Sequence, residues 1–134
     1  MAALYLSGKK KLWDGSIDLD TDSIYAVFMS TSYTPNIDTE DFYDDIVASV
    51  ASGSTMQLLA NKTLTIDTTN DIVKFDADDI SITGQTFTSD MIVLIKYTGV
   101  NSTSPLICYI DITTIAPVGG ALTVPWNASG IFSY

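Results

Sequence analysis

At 134 residues the chain has room for one domain, because two separate cores would each be too small to be stable. Hydrophobic residues make up 46% against 16% charged, which is enough to build an interior and too little charge for a disordered chain. The net charge of −10 comes from 16 acids against 6 bases, all lysine. That balance argues against nucleic acid, whose phosphates need clustered Lys and Arg.

In chain order, residues 1–15 read as an N-terminal helical or arm segment. Leu4 to Trp13 is the best helical candidate, weakened by Gly8 and ended by Gly15. The apolar residues at the start precede the lysines, the reverse of a secretory leader, so an unprocessed chain made in the cytosol is expected. From Ile17 to Asp22 apolar and acidic residues alternate, in the sequence Ile-Asp-Leu-Asp-Thr-Asp, a period of two leading into Ile24 to Met29, an apolar run suited to a buried strand. Tyr33 to Asn36 is a turn signal. Thr39, followed by Glu40 and Asp41, is placed to cap a short helix through Ile46. Ala48 to Ser54 reads as a loop.

A series of strands follows: Thr63 to Ile66, Ile72 to Phe75, Asp79 to Thr83, Met91 to Tyr97 and Leu106 to Ile112. Ala121 to Trp126 and Ile131 to Tyr134 close the chain. Many short strands at this spacing predict a single all-β domain over residues 1–134, a β-sandwich with one or two short helices in its N-terminal half. No apolar stretch approaches the ~20 residues of a membrane span, so no membrane partner is expected.

The chain has no histidine, which removes Ser-His and Cys-His nucleophile pairs and the commonest general base. Cys108, the one cysteine, reads as a small buried residue. A catalytic role is therefore not expected, and no cofactor is. Asp18-x-Asp20-x-Asp22 begins like a calcium loop, but Ser23 stands where Gly is needed and Met29 where Glu is needed. A looser Asp and carbonyl site remains open beside the preferred reading, a solvated acidic strand edge. The candidates for partner binding are Lys9, Lys10, Lys11, Trp13, Trp126, Phe132 and Tyr134. The lysines suit either an acidic neighbour or a solvated helix face. The aromatics suit core packing, or a subunit interface, where such residues are enriched.

Several segments together resemble a family of small tailed-bacteriophage virion proteins. They begin with Leu12-Trp13-Asp14-Gly15-Ser16-Ile17-Asp18-Leu19 and Thr21-Asp22-Ser23-Ile24-Tyr25-Ala26-Val27. Tyr33-Thr34-Pro35, Lys62-Thr63-Leu64-Thr65 and Phe75-Asp76-Ala77-Asp78-Asp79-Ile80 follow in the same order. Lys96-Tyr97-Thr98-Gly99, Tyr109-Ile110-Asp111, Trp126-Asn127 and Gly130-Ile131-Phe132 continue it over nearly the whole chain. Between Ala48 and Leu59 the chain lacks the basic residue of that pattern. The resemblance implies a jelly-roll-like sandwich acting as a capsid cement or decoration protein, bound to the major capsid protein on the capsid surface of the virion. Repeated attachment to a symmetric shell favours a homo-oligomer, with a trimer preferred. The alternative is a tail, neck or fibre-associated module that binds carbohydrate or a receptor.

Overall fold

The structure, a computed structural model, describes residues 2–134. Its elements are β1 (Ala2–Leu4), α1 (Leu6–Trp13), β2 (Ile24–Met29), α2 (Tyr43–Ile46), β3 (Gln57–Leu58), β4 (Thr63–Asp67) and β5 (Ile72–Asp76). β6 (Ile80–Ile82), β7 (Ser89–Lys96), β8 (Leu106–Ile115), β9 (Leu122–Val124) and β10 (Phe132–Ser133) complete the set. They form three antiparallel sheets: a five-stranded sheet ordered β1-β8-β7-β2-β3, a three-stranded sheet ordered β10-β5-β4, and the pair β6-β9. The all-β, sandwich-like fold with two short helices is the one expected.

The continuous apolar runs of β2 and β7 have a simple cause, since the central sheet is covered on both faces. Successive side chains of a strand point to opposite faces. Ala26 and Phe28 of β2, with Ile92 and Leu94 of β7, face a core shared with Phe75, Ile80, Ile82 and Val124 of the smaller sheets. Val27 and Met29, with Val93 and Ile95, face the other way, onto Tyr43 and Ile46 of α2. A strand buried on both faces has no use for alternation.

Helix α1 is seated where β8 is irregular. The register of β7 against β8 shifts between Leu94 and Ile95, and Ile107 is the extra residue of that bulge. Its carbonyl accepts the N–H of Tyr5 at 3.0 Å, just before α1 begins. One turn on, a Cβ at Gly8 would run into the carbonyl oxygens of Leu106 and Ile107. Gly8, which costs helix propensity, thus lets the helix backbone lie directly on β8.

Three details differ from the sequence expectations. Ala2–Leu4 is a separate strand against Cys108–Ile110, so the helix begins at Leu6. Ile17 to Asp22 is a loop rather than a strand: the Asp22 carboxylate accepts the N–H of Asp18 at 2.7 Å, and that of Asp18 accepts the N–H of Asp20 at 3.0 Å. Carboxylates bonded to nearby backbone turn the chain, and the alternation is a by-product. Thr39 is not the cap of α2. The Asp45 carboxylate closes that helix from inside, accepting the N–H groups of Asp41 and Phe42 at 2.7 and 3.1 Å.

Candidate interaction surface

The β10-β5-β4 sheet has one apolar face. Its register sets Leu64 and Phe132 beside Phe75, and Ile66 beside Val73, with Tyr134 bonded to the far side of Val73. Paired residues share a face, so all six side chains lie on one side, while Thr63, Thr65, Lys74 and Ser133 lie on the other. The apolar face is only half used. Phe75 is fully buried and Phe132 packs on it with ring centres 5.3 Å apart. Farther out, Ile66 remains 75% exposed and Tyr134 57%, with Leu64 and Val73 also exposed.

Helix α1 faces this overhang. Between them runs a cleft of about 510 Å³, lined by Leu12, Trp13, Leu64, Val73, Phe132 and Tyr134. The Lys9 ammonium, also on the cleft, sits 5.2 Å from the centre of the Tyr134 ring, joining the last residue of the chain to the helix. Trp13 ends the helix at 81% exposure, and Leu6 two turns earlier is also exposed. Lys10 reaches Asp14 at 3.0 Å. The Ser16 hydroxyl, with Lys10 second, holds the Asp14 carboxyl down at about 2. Leu6, Trp13, Tyr134, Val73, Leu64 and Ile66 therefore make a band of exposed apolar groups with two ammonium heads along it. Large exposed apolar patches on monomers usually mark contact sites.

Five of the seven candidate residues meet here: Lys9, Lys10, Trp13, Phe132 and Tyr134. The other two do not. The Lys11 ammonium lies 4.8 Å from the centre of the Phe42 ring, towards the α2 side. Trp126 is partly buried against the turn before β6. Its ring N–H donates to the Asp78 carbonyl at 3.0 Å, and its backbone N–H to the Asp79 carboxylate at 3.0 Å. It lines a second groove, of about 830 Å³, with Ile112, Thr123, Asn127 and Phe132. Leu64 and Val73 are not among the sequence candidates. Their signal is present in Thr63-Leu64-Thr65-Ile66 and in Val73-Lys74-Phe75, whose alternation marks an apolar face, but alternation does not say whether that face is covered.

All six lysines are engaged within the chain. Lys74 pairs with Asp67 at 2.8 Å and Lys96 with Asp22 at 2.9 Å, while Lys62 donates to the Asp22 carbonyl. With Lys9 and Lys11 over rings and Lys10 on Asp14, most of the 16 acids keep their charge uncompensated. Such a surface repels polyanions and favours neutral or cationic neighbours.

The remaining polar groups serve the fold. The Tyr5 hydroxyl bonds that of Tyr33 at 2.7 Å, and Tyr33 donates to Glu40, the one glutamate, at 2.7 Å. Burial pushes the Tyr5 phenol well above its ordinary value, and Tyr33 is raised in the same way. Cys108 is fully buried, and burial raises its thiol strongly. Among the described residues no three His, Cys, Asp or Glu side chains converge as a metal-ligand set. No family model, curated protein or solved structure matches this chain.

Proposed function

We propose that this chain is a non-catalytic adhesion protein that packs onto a larger protein surface through the band between α1 and the β10-β5-β4 sheet. The observation that carries this reading is the unburied apolar band, with Trp13 at 81% exposure beside Tyr134 and the overhanging sheet. A side chain of that size, left in water at the rim of an apolar cleft, is the kind that anchors interfaces. Following the resemblance to small tailed-phage virion proteins, the surface it meets is the major capsid protein on the outside of the shell. The protein then acts as a cement or decoration component. Repetition over a lattice makes a modest contact per copy sufficient.

A second reading draws on the other groove. Trp126 beside Thr123, Asn127 and Ser129 puts an aromatic ring among hydrogen-bonding groups, the chemistry of a sugar site on a tail- or fibre-associated module.

Two measurements test the first reading. Mass spectrometry of purified particles should find this chain in numbers comparable with the shell protein. In co-sedimentation with shells, Trp13→Ala and Tyr134→Ala should each weaken binding by about 1–3 kcal/mol, roughly 5- to 150-fold. Both sites are exposed, so thermal stability should barely change. A few copies per particle, or undiminished binding by the double variant, would refute it. Glycan binding lost with Trp126→Ala would favour the second reading instead.

A further inference from the structure

Strand β4 is the outer edge of its sheet, and its backbone is presented in a specific way. Val73 exchanges both backbone hydrogen bonds with Tyr134, donating at 2.6 Å and accepting at 3.1 Å. The N–H and C=O of Val73 therefore point at the β10 side. Its partner on β4, Ile66, forms a wide pair with it and turns its own N–H and C=O outward. Alternation gives Leu64 the same direction and leaves Thr63, Thr65 and Asp67 bonded inward to β5. The edge thus offers two residues of unpaired backbone, two apart.

The edge is lightly protected, with Asp67 at its end the one charge in the strand. From Thr63 to Ile66 there is no proline and no charge, and the β4–β5 register runs without a bulge. The edge is also self-complementary. If two copies are set antiparallel about Thr65, Leu64 of each meets Ile66 of the other. These are the two outward-facing residues, so each such pair exchanges both hydrogen bonds. On the apolar face Leu64 packs across Ile66. On the polar face Thr65 meets Thr65 in a wide pair, and Asp67 meets Thr63 instead of another carboxylate. Asp67 is already drawn to Lys74 at 2.8 Å. Every charge in the strand avoids its like, although the chain as a whole is strongly acidic.

We propose that β4 is a self-association edge, pairing with β4 of a second copy across a two-fold axis at Thr65 to make one continuous six-stranded sheet. This goes beyond the adhesion reading: it names a second contact, between copies, made through the backbone edge of β4 and not through the apolar face. The two apolar faces then lie side by side as one broader platform. Edge pairing alone covers less than the ~1,000 Å² of a stable interface. The free protein therefore exchanges between monomer and dimer with concentration, and copies held side by side on a lattice pair readily.

Cysteine trapping tests this. Wide antiparallel pairs bring Cα atoms to ~4.5 Å, within reach of a disulfide. Thr65→Cys in the full chain should shift to a disulfide-linked dimer on a non-reducing gel after mild oxidation at high protein concentration. Leu64→Cys, whose counterpart lies two residues along, should remain monomeric. The native Cys108 is fully buried and does not interfere. Ile66→Pro removes one outward N–H without touching the β4–β5 bonds, and in the Thr65→Cys background it should abolish the cross-link. Circular dichroism confirms that each variant is folded. No cross-link in a folded Thr65→Cys chain, equal trapping at Leu64→Cys, or trapping that survives Ile66→Pro would each overturn the proposal. Thr65 lies on the face opposite the apolar band, so cross-linking of Thr65→Cys can fail while shell binding stands, and the reverse.

Discussion

Replacing Gly8 by alanine sets two effects of opposite sign against each other. By intrinsic propensity, Gly to Ala inside a helix stabilises by about 1 kcal/mol. In this fold the added methyl points into β8, overlapping the Leu106 carbonyl oxygen and lying 2.9 Å from that of Ile107 and 3.0 Å from its Cα. Those atoms cannot easily give way. The Leu106 N–H is held by the Asp41 carbonyl at 3.0 Å, and the Ile107 carbonyl by the Tyr5 N–H at 3.0 Å. Overpacking costs ~1–3 kcal/mol, and contact with two fixed backbone groups belongs at the upper end. The net is a loss of about 2 kcal/mol, which for a chain of this length lowers the melting temperature by roughly 7 °C. Its neighbour supplies a control of opposite sign. The Ser7 hydroxyl oxygen is buried without a hydrogen-bond partner, so Ser7→Ala should raise stability by about 1 kcal/mol. Urea titrations and thermal melts followed by circular dichroism measure both. If the Gly8→Ala variant proves as stable as the parent chain, α1 does not rest on the β8 bulge, and the account of how this helix is held is wrong.

Alkali and acid probe two other parts of the fold. The Tyr5 phenol is raised above its ordinary value of about 10, so the stability tied to it is complete below pH ~10 and is lost as pH climbs beyond. Tyr5→Phe should flatten this alkaline limb in unfolding titrations; an unchanged slope would show that Tyr5 does not carry it. At the other extreme, the Lys74 ammonium, with the Asn70 side chain second, holds the Asp67 carboxyl below the usual range, as Ser16 and Lys10 hold Asp14. Depressed carboxyls contribute above pH ~4 and lose that contribution as pH falls through their folded values, so stability should drop between about pH 4 and pH 2. Asp67→Asn should make that drop shallower, and added salt should weaken it further because these groups are reached by solvent. An acid limb identical in the variant would remove the pair from the account.

How much of this architecture can be read from residues alone depends on how many faces each element buries. β2, β7 and β8 declare themselves through unbroken apolar runs. β1 does not, because three small or apolar residues beside a helix are equally good as its first turn, and only pairing with Cys108–Ile110 decides the matter. The alternation from Ile17 to Asp22 misleads for a different reason: Asp and Thr bond to local backbone, so a period of two arises in a turn as easily as in a strand. At the candidate surface, the aromatic ends of the chain point to Trp13 and Tyr134, but Trp126 has the same character and is held elsewhere by Asp78 and Asp79. Residues 47 and 48 positions away decide that, and no local pattern contains them.

The two-sided burial of the β2–β7 pair has a consequence for the order in which the molecule opens. Amide protons there should be the last to exchange with deuterium, since releasing them requires both cores to come apart at once. Beyond Phe75, the outer part of the β4–β5 hairpin and the outer turn of α1 belong to neither core and can breathe on their own. The elements that carry the proposed contacts are thus the compliant outskirts of a rigid middle, and they can adjust their shape without bringing the molecule near to unfolding.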